Sequence, residues 1–245
     1  MSRNPAADPG PSVAVIVPIL NEASRIEAQI HLLCRAGIAE IVVVDGGSAD
    51  DSVGRIQQIA DAAGALRTGC RVAVRHAPRG RALQMNYGAQ ATMADVLLFV
   101  HADTRLPAGA GGMVQDAIRR GHEWGRFDVC LDGPQRTLRV IERAMNLRSA
   151  LTGIVTGDQA LFVRRDIFTM LGGFAPIALM EDIELSRRLR MLGPPARIRI
   201  PVVSSARRWH QGGILRTVLL MWGLRLLYWL GVAPGRLARF YGNVR

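Results

Sequence analysis

The chain has 245 residues, 49% hydrophobic and 21% charged, which is enough apolar material for one substantial core and excludes a disordered polyelectrolyte. The formal net charge is +11, yet there is no lysine, and all 31 basic residues are arginine. An all-arginine complement reads as codon bias, so the charge is not evidence for nucleic acid, and the aromatics clustered beside basic runs that single-strand binders use are missing. The acidic partners left for such a charge are nucleotide phosphates and anionic lipid headgroups. Three cysteines, Cys34, Cys70 and Cys130, form no CxxC pair and are expected to be reduced, buried thiols of a cytoplasmic protein. Residues 1–11 are rich in Pro, Ala and Asp and read as a flexible N-terminus with no apolar signal core.

Val13 to Val17 is a short β-branched run bounded by prolines, a strand. A helix follows, with Ser24 and Glu27 at capping-box spacing and Ile26, Ile30 and Leu33 on one face. Ile41 to Val44 is the second strand, and Val53, Ile56, Gln57 and Ala60 share one face of the second helix. Arg71 to Val74, Ala82 to Met93 and Val96 to Val100 continue the pattern as strand, helix and strand. Strands that are apolar throughout, separated by helices, predict an α/β fold with a parallel sheet covered on both faces. Farther on, Pro107 opens a helix to Arg120, Arg126 to Leu131 reads as a strand and 136–150 as a helix. Ala160 to Val163 reads as a short strand, and a helix from Glu181 to Leu192 is stopped by Gly193 and Pro194. One domain over residues 12–210 is expected, with 211–245 as an apolar, basic helical tail.

The tail contains a strongly apolar stretch, Thr217 to Ala233, of 17 residues. As a helix it would reach only ~25 Å at ~1.5 Å per residue, short of the ~30 Å hydrocarbon core of a bilayer. Arg225 in its middle would cost about 2.5–3.5 kcal/mol on insertion scales. A transmembrane span is therefore not expected. Two readings stay open: an interfacial helix with Trp222, Tyr228 and Trp229 at headgroup level, and a helix packed on the core or on another subunit.

Ligands of open α/β sheets bind in the crevice outside the carboxyl ends of the strands. Asp45, at the end of the second strand, could hold a dinucleotide's ribose, but that reading needs G-x-G-x-x-G after the first strand. Pro18-Ile19-Leu20-Asn21-Glu22 stands there, without a glycine, so the dinucleotide reading fails. Taken alone, Asp45 is as well explained as the cap of its own turn. Arg79 and Arg81 lie just before a helix N-terminus, where guanidinium and backbone N–H groups favour an anion. Asp103 of His101-Ala102-Asp103 can anchor Mg²⁺ or Mn²⁺ when phosphates and waters fill the other positions. Glu181-Asp182 would by itself be an ordinary N-terminal acidic pair of a helix. Asp158 and Gln159 follow Gly157 and can present a carboxylate and an amide or simply form a tight turn.

Four motifs in order, Pro18 to Glu22, Asp45-Gly46-Gly47-Ser48, His101-Ala102-Asp103 and Gly172-Gly173-Phe174 with Glu181-Asp182-x-x-Leu185-x-x-Arg188, resemble the inverting family 2 glycosyltransferases over roughly residues 12–210. The resemblance implies the GT-A fold, a Rossmann-like, mostly parallel α/β sheet with helices on both faces. It also implies metal-assisted transfer of a sugar from a nucleotide-diphosphate donor to a hydroxyl acceptor. By it, Pro18, Glu22, Asp45, Arg81 and Arg79 fall to the nucleotide, and Asp103 to the metal, with His210 of Arg207-Arg208-Trp209-His210 as a second candidate ligand. Asp182 is the general base, with Glu181 the adjacent alternative, and Asp158 and Gln159 serve donor sugar or acceptor. The family's usual D-x-D appears here with His101 in first place, and Ala175-Pro176 replaces the acid that often follows G-G-F.

Two competing classes remain at this stage. A nucleotidyltransferase of related fold would carry a glycine- and arginine-rich loop after the first strand, which is absent. A non-catalytic, membrane-associated nucleotide-binding protein would be expected to have lost Asp103 or Asp182, and both are present. The acceptor, lipid-linked or soluble, is left open, as are peripheral contact with the inner face of a membrane and the oligomeric state.

Overall fold

A computed structural model describes residues 10–66 and 69–242. The first half alternates as expected: β1 (Val13–Ile19), α1 (Ile26–Arg35), β2 (Glu40–Asp45), α2 (Ser52–Leu66), β3 (Arg71–His76), α3 (Arg81–Gln90) and β4 (Val96–Phe99). The four strands pair in parallel in the order β3-β2-β1-β4. Alternation along them supplies two cores, because successive strand side chains point to opposite faces. Val13, Val15, Val17, Ile41, Val43, Val96 and Leu98 pack on one face with Ile26, Ile30 and Leu33 of α1. Ile16, Val42, Val44, Leu97 and Phe99 pack on the other with Ala82, Met85 and Ala89 of α3.

The second half is built from β5 (Thr104–Arg105), α4 (Ala110–Arg119), β6 (Trp124–Asp132), α5 (Arg136–Thr152), a 3₁₀ turn at Gly157–Gln159 and β7 (Phe162–Arg164). It continues through α6 (Arg165–Met170), α7 (Glu181–Arg190), β8 (Ala196–Ser205), α8 (Arg207–Gly212), α9 (Ile214–Trp229) and α10 (Pro234–Gly242). The sheet extends as β4-β7-β6-β8-β5. The sheet is mostly parallel, as the resemblance implied: β7 is antiparallel to β4 and to β6, β8 is parallel to β6, and β5 is antiparallel to β8.

β8 escaped the sequence reading because Arg197, Arg199 and Pro201 break its apolar run. Its pairing with β6 slips between Phe127 and Asp128, a bulge that accommodates an ionic cluster. There the Arg126 guanidinium, 1% exposed, meets Asp128, and Arg197 donates to the same carboxylate at 2.8 Å. Burial alone would raise the Asp128 pKa, but the hydrogen bonds and charges of Arg197 and Arg126 hold it below the usual aspartate value.

Two further expectations are overturned. Cys34 at the end of α1 and Cys70 before β3 are joined as a disulfide, Cα–Cα 5.7 Å, so only Cys130 is a free thiol. Sequence spacing of 36 residues hides that pairing; the parallel layering brings the two ends together. The Ser24 capping box does not form: α1 opens at Ile26 with Arg25 as N-cap and no side-chain cap.

The tail folds back onto the domain. Leu224 of α9 and Leu237 of α10 are buried against Met180 and Ile183, and Arg187 stacks on the Tyr228 ring at 5.4 Å. No described helix is long and apolar enough to cross a membrane. The opposite face of the tail leaves Leu219, Trp222, Leu226, Trp229, Leu230 and Phe240 exposed.

Candidate active site

The parallel register sets the first half of the site. Ile19, Asp45 and His76 are aligned across β1, β2 and β3 at their carboxyl ends. Asp45 is 3% exposed and accepts hydrogen bonds from the backbone N–H groups of Gly47 (3.0 Å) and Ser48 (3.1 Å), with His76 Nδ1 at 3.5 Å. Burial would push its pKa up, but the hydrogen bonds from Ser48 and Gly47 outweigh it and keep Asp45 below the ordinary carboxylate range. Gln84, unremarked in the sequence, reaches from α3 and donates to both Ile19 O and Val44 O at 2.8 Å, locking the first two loops together. Pro18 is half-buried near the end of β1, and the Glu22 backbone N–H donates to Ser52 Oγ at 2.8 Å. Arg79 is exposed on the loop after β3, whereas Arg81 begins α3 and turns toward Glu181, Nη1 to Oε1 3.4 Å.

The second half is a small, open cleft of about 50 Å³. Its charged and polar lining comprises Arg81, His101, Thr156, Asp158, Glu181, Asp182, Arg225 and Tyr241; Leu179, Met180, Met221 and Leu224 form apolar walls. The G-G-F…E-D-x-x-L-x-x-R spacing owes much of its form to scaffolding. Gly173 has φ +73°, a conformation that favours glycine, and a Cβ there would meet Asn86 Oδ1 at 2.6 Å. Asn86 in turn clamps Phe174, donating to its carbonyl at 2.8 Å and accepting from its N–H at 2.9 Å. Arg188 donates to Leu171 O and Gly173 O at 2.6 and 2.8 Å, and Leu185 and Leu189 are fully buried. The turn is thereby tied to α7 at a fixed angle.

At the head of α7, Asp182 is held by two backbone donors: Gly157 N–H to Oδ2 at 2.8 Å and Ile183 N–H to Oδ1 at 2.7 Å. Each oxygen keeps a lone pair, and the side chain borders the cleft. Its neighbour Glu181 is 3% exposed; burial first, then the Asp182 charge, raises its pKa, opposed by Arg81. Gly157 lets the His101 imidazole approach, since a Cβ there would fall 2.4 Å from its ring. His101 Nδ1 lies 3.7 Å from Asp158 Oδ1, and Ser204 Oγ donates to the same carboxylate oxygen at 3.3 Å. Among the described residues the three non-glycine positions with positive φ are Asn21, Ala160 and Met180. Asn21 lies within the first motif loop, Ala160 follows the turn at Gly157–Gln159 and Met180 precedes Glu181, places where backbone strain is held by the surrounding structure.

The arrangement thus brings together Arg81, Asp158, Glu181 and Asp182, and adds His101. It does not bring Gln159, which is fully buried and caps its own turn through Thr156. Asp103 sits in the turn closed by Thr104 N–H to His101 O at 3.0 Å, half-buried and outside the lining of the cleft. Among the described residues no group of three His, Cys, Asp or Glu side chains could enclose a metal alone. The side chain of His210 lies outside the described residues. Arg225 and Tyr241 were missed, although a lone arginine inside an apolar helix was a signal that it faces something polar.

The sequence profile described as glycosyl transferase family 2 matches residues 14–171. The chain belongs to that family. It is a family 2 glycosyltransferase, and its curled, mostly parallel sheet is that of GT-A enzymes. Among solved structures it resembles a mannosyltransferase, PcManGT from Pyrobaculum calidifontis, in complex with GDP-Man and Mn²⁺, at TM-score 0.65 and 22% identity. That match covers 96% of this chain and 70% of the other. It also resembles S. aureus TarS 1-349 in complex with UDP, at TM-score 0.62 and 15% identity, over 79% of this chain and 60% of that one. A third is glucosyl-3-phosphoglycerate synthase from Mycobacterium tuberculosis in complex with Mg²⁺ and UDP, at TM-score 0.54 and 21% identity, over 89% and 79%. No curated protein sequence matches this glycosyltransferase.

Proposed function

We propose that this glycosyltransferase moves a sugar from a nucleoside-diphosphate donor to a hydroxyl acceptor with inversion, Asp182 acting as general base. The observation that carries the reading is the fixing of Asp182 at the cleft wall by two backbone N–H groups, with lone pairs left for an acceptor O–H. A hydroxyl is too weak an acid to attack at neutral pH unless its proton is taken as it bonds to the anomeric carbon. Family membership and the donors bound by similar structures support the donor class.

The nucleotide would lie over the carboxyl ends of β1 to β3, against Pro18, Glu22, Asp45 and Arg79, with Arg81 at the junction with the sugar. Mn²⁺ or Mg²⁺ fits this site only as a donor-borne ion. The single Asp103 carboxylate makes no hydrogen bond or ion pair among the described residues, so it remains available as one ligand, diphosphate oxygens supplying others. When bound, such an ion neutralises charge developing on the departing diphosphate. His210 is the second candidate ligand.

The tail supports a further reading, peripheral attachment to an anionic bilayer. No acidic residue occurs after Glu184, and exposed Trp222 and Trp229 accompany Arg216, Arg236 and Arg239. An acceptor carried on a lipid would then meet the cleft at the membrane surface.

Thermal melting with UDP, GDP and dTDP, with and without Mn²⁺, tests the donor reading. One nucleotide should raise Tm by a margin that grows with concentration and with metal. A flat response to all three removes the nucleotide site.

A further inference from the structure

Asp158, Glu181 and Asp182 face Arg81, His101 and Arg225 around the cleft. Arg81 pairs with Glu181, and His101 faces Asp158. Both Asp182 oxygens are engaged by backbone N–H groups, and the charges of Asp182 and Asp158 favour the charged form of Arg225 without forming an ion pair with it. Arg225, from α9, lines the same cleft without an ion pair to any described residue, and its Nε is buried with no hydrogen-bond partner. Arg148, from α5, is outside the lining of the cleft, but the charge of Arg225 works against its own. Its Nη1 donates to Ile154 O at 3.2 Å, while its Nε and Nη2 are buried and unpartnered.

Native interiors rarely leave guanidinium donors unsatisfied, and two like charges that are each partly withdrawn from water are costly. Burial first, and then the neighbouring Arg225 charge, depresses the Arg148 pKa to about 10, which is the same cost expressed as proton affinity. An anion in the cleft beside Arg225 would meet its guanidinium and offset the positive charge shared with Arg148, because guanidinium–phosphate and guanidinium–carboxylate bonds are charge-assisted.

We propose that Arg225, reinforced by Arg148, recognises an anionic group on the acceptor, a phosphate or a carboxylate placed a short way from the hydroxyl that Asp182 deprotonates. The proposal rests on the glycosyl-transfer reading for the word acceptor, but the anion site itself stands on the geometry. It assigns the tail a specificity role: α9 folds over α7 and brings Arg225 to the cleft, while Leu224 beside it anchors the helix at 2% exposure. Donor phosphates are a second source of the same chemistry, so the test is run with that source satisfied.

Glycerol 3-phosphate, glycerate and glycerol are titrated calorimetrically into the full chain in the presence of UDP, GDP and Mn²⁺. At least one of the two anions should bind saturably and glycerol should not. Arg225→Gln and Arg225→Met should each weaken the anion by about 10- to 100-fold, the range for hydrogen bonds to charged groups. Arg225→Lys should recover part of the loss. Two variants are used so that a folding defect in one, visible in its melting curve, does not mimic loss of the site. Anion binding equal in the wild type and both truncated variants, or glycerol binding as well as glycerol 3-phosphate, overturns the proposal. An anion held through Arg225 in a chain that transfers sugar from no nucleotide donor would leave the site standing and remove the glycosyl-transfer reading instead.

Discussion

Asp182→Asn separates chemistry from scaffolding at the head of α7. The asparagine carbonyl can still accept from one of the two backbone donors, Gly157 or Ile183, now at 2.8 and 2.7 Å. One hydrogen bond is weakened, worth about 1 kcal/mol. With an unfolding entropy of about 2.1 cal/mol/K per residue, the whole chain unfolds with roughly 0.5 kcal/mol/K, so Tm should fall by about 2 °C. Activity should fall far more. Losing a general base removes 10²–10⁴-fold in rate, about 2.7–5.4 kcal/mol of barrier at about 1.36 kcal/mol per tenfold. Nucleotide affinity should hardly move, because Asp45 and Arg79 lie on other loops.

The control is Glu181→Gln. Glu181 is buried beside the half-buried Arg81, so its replacement strips that arginine of its partner and should cost stability more than turnover. Turnover is followed as release of nucleoside diphosphate, together with melting curves for all three proteins. Wild-type turnover in Asp182→Asn would refute the base assignment. A dead Glu181→Gln beside an active Asp182→Asn would transfer the role to Glu181, whose raised pKa would then be part of its chemistry.

Three other outcomes are expected. Asp103→Asn should abolish the Mn²⁺-dependent part of turnover and of the nucleotide-induced Tm shift while leaving the metal-free Tm unchanged; undiminished Mn²⁺ dependence would take Asp103 out of the site. Full-length protein should co-sediment with phosphatidylserine-containing vesicles and not with neutral ones, and Trp222→Ala with Trp229→Ala should release it; indifference to vesicle charge would refute membrane attachment. Asp128 has a folded pKa depressed below its unfolded value of about 3.9, so its contribution is present above that value and is lost as pH falls through the folded pKa. Urea unfolding should therefore lose stability below about pH 4, and Asp128→Asn, though weaker at pH 7 because Arg126 is left unpaired, should show a shallower acid slope; an unchanged slope would mean that other carboxylates carry the acid transition.

The first half of the molecule was legible because its information is local. Val13 to Val17, Ile41 to Val44 and Val96 to Val100 are buried on both sides, so their apolar continuity reports a central parallel strand directly, and the loops leaving them are the ligand crevice by topology. Asp45, Arg81 and Asp182 each stand at the end of a strand or the start of a helix, but it was the motif resemblance, and not that position, that singled them out as candidates. What the chain does next depends on distant partners. β8 is half-exposed and interrupted by arginines, so no period reveals it; only its pairing with β6 makes it a strand. Cys34 and Cys70 look like unrelated thiols until parallel layering superposes the ends of α1 and the approach to β3. Gln159 has the composition of a binding residue, yet the turn at Gly157–Gln159 takes its amide inward as a cap. Arg225 shows the limit most clearly. In sequence it is a charge that spoils an apolar helix, and one helix cannot say which way its odd residue faces. The packing of Leu224 and Leu237 on Met180 and Ile183 sets that rotation, and with it the arginine reaches the cleft beside Asp182.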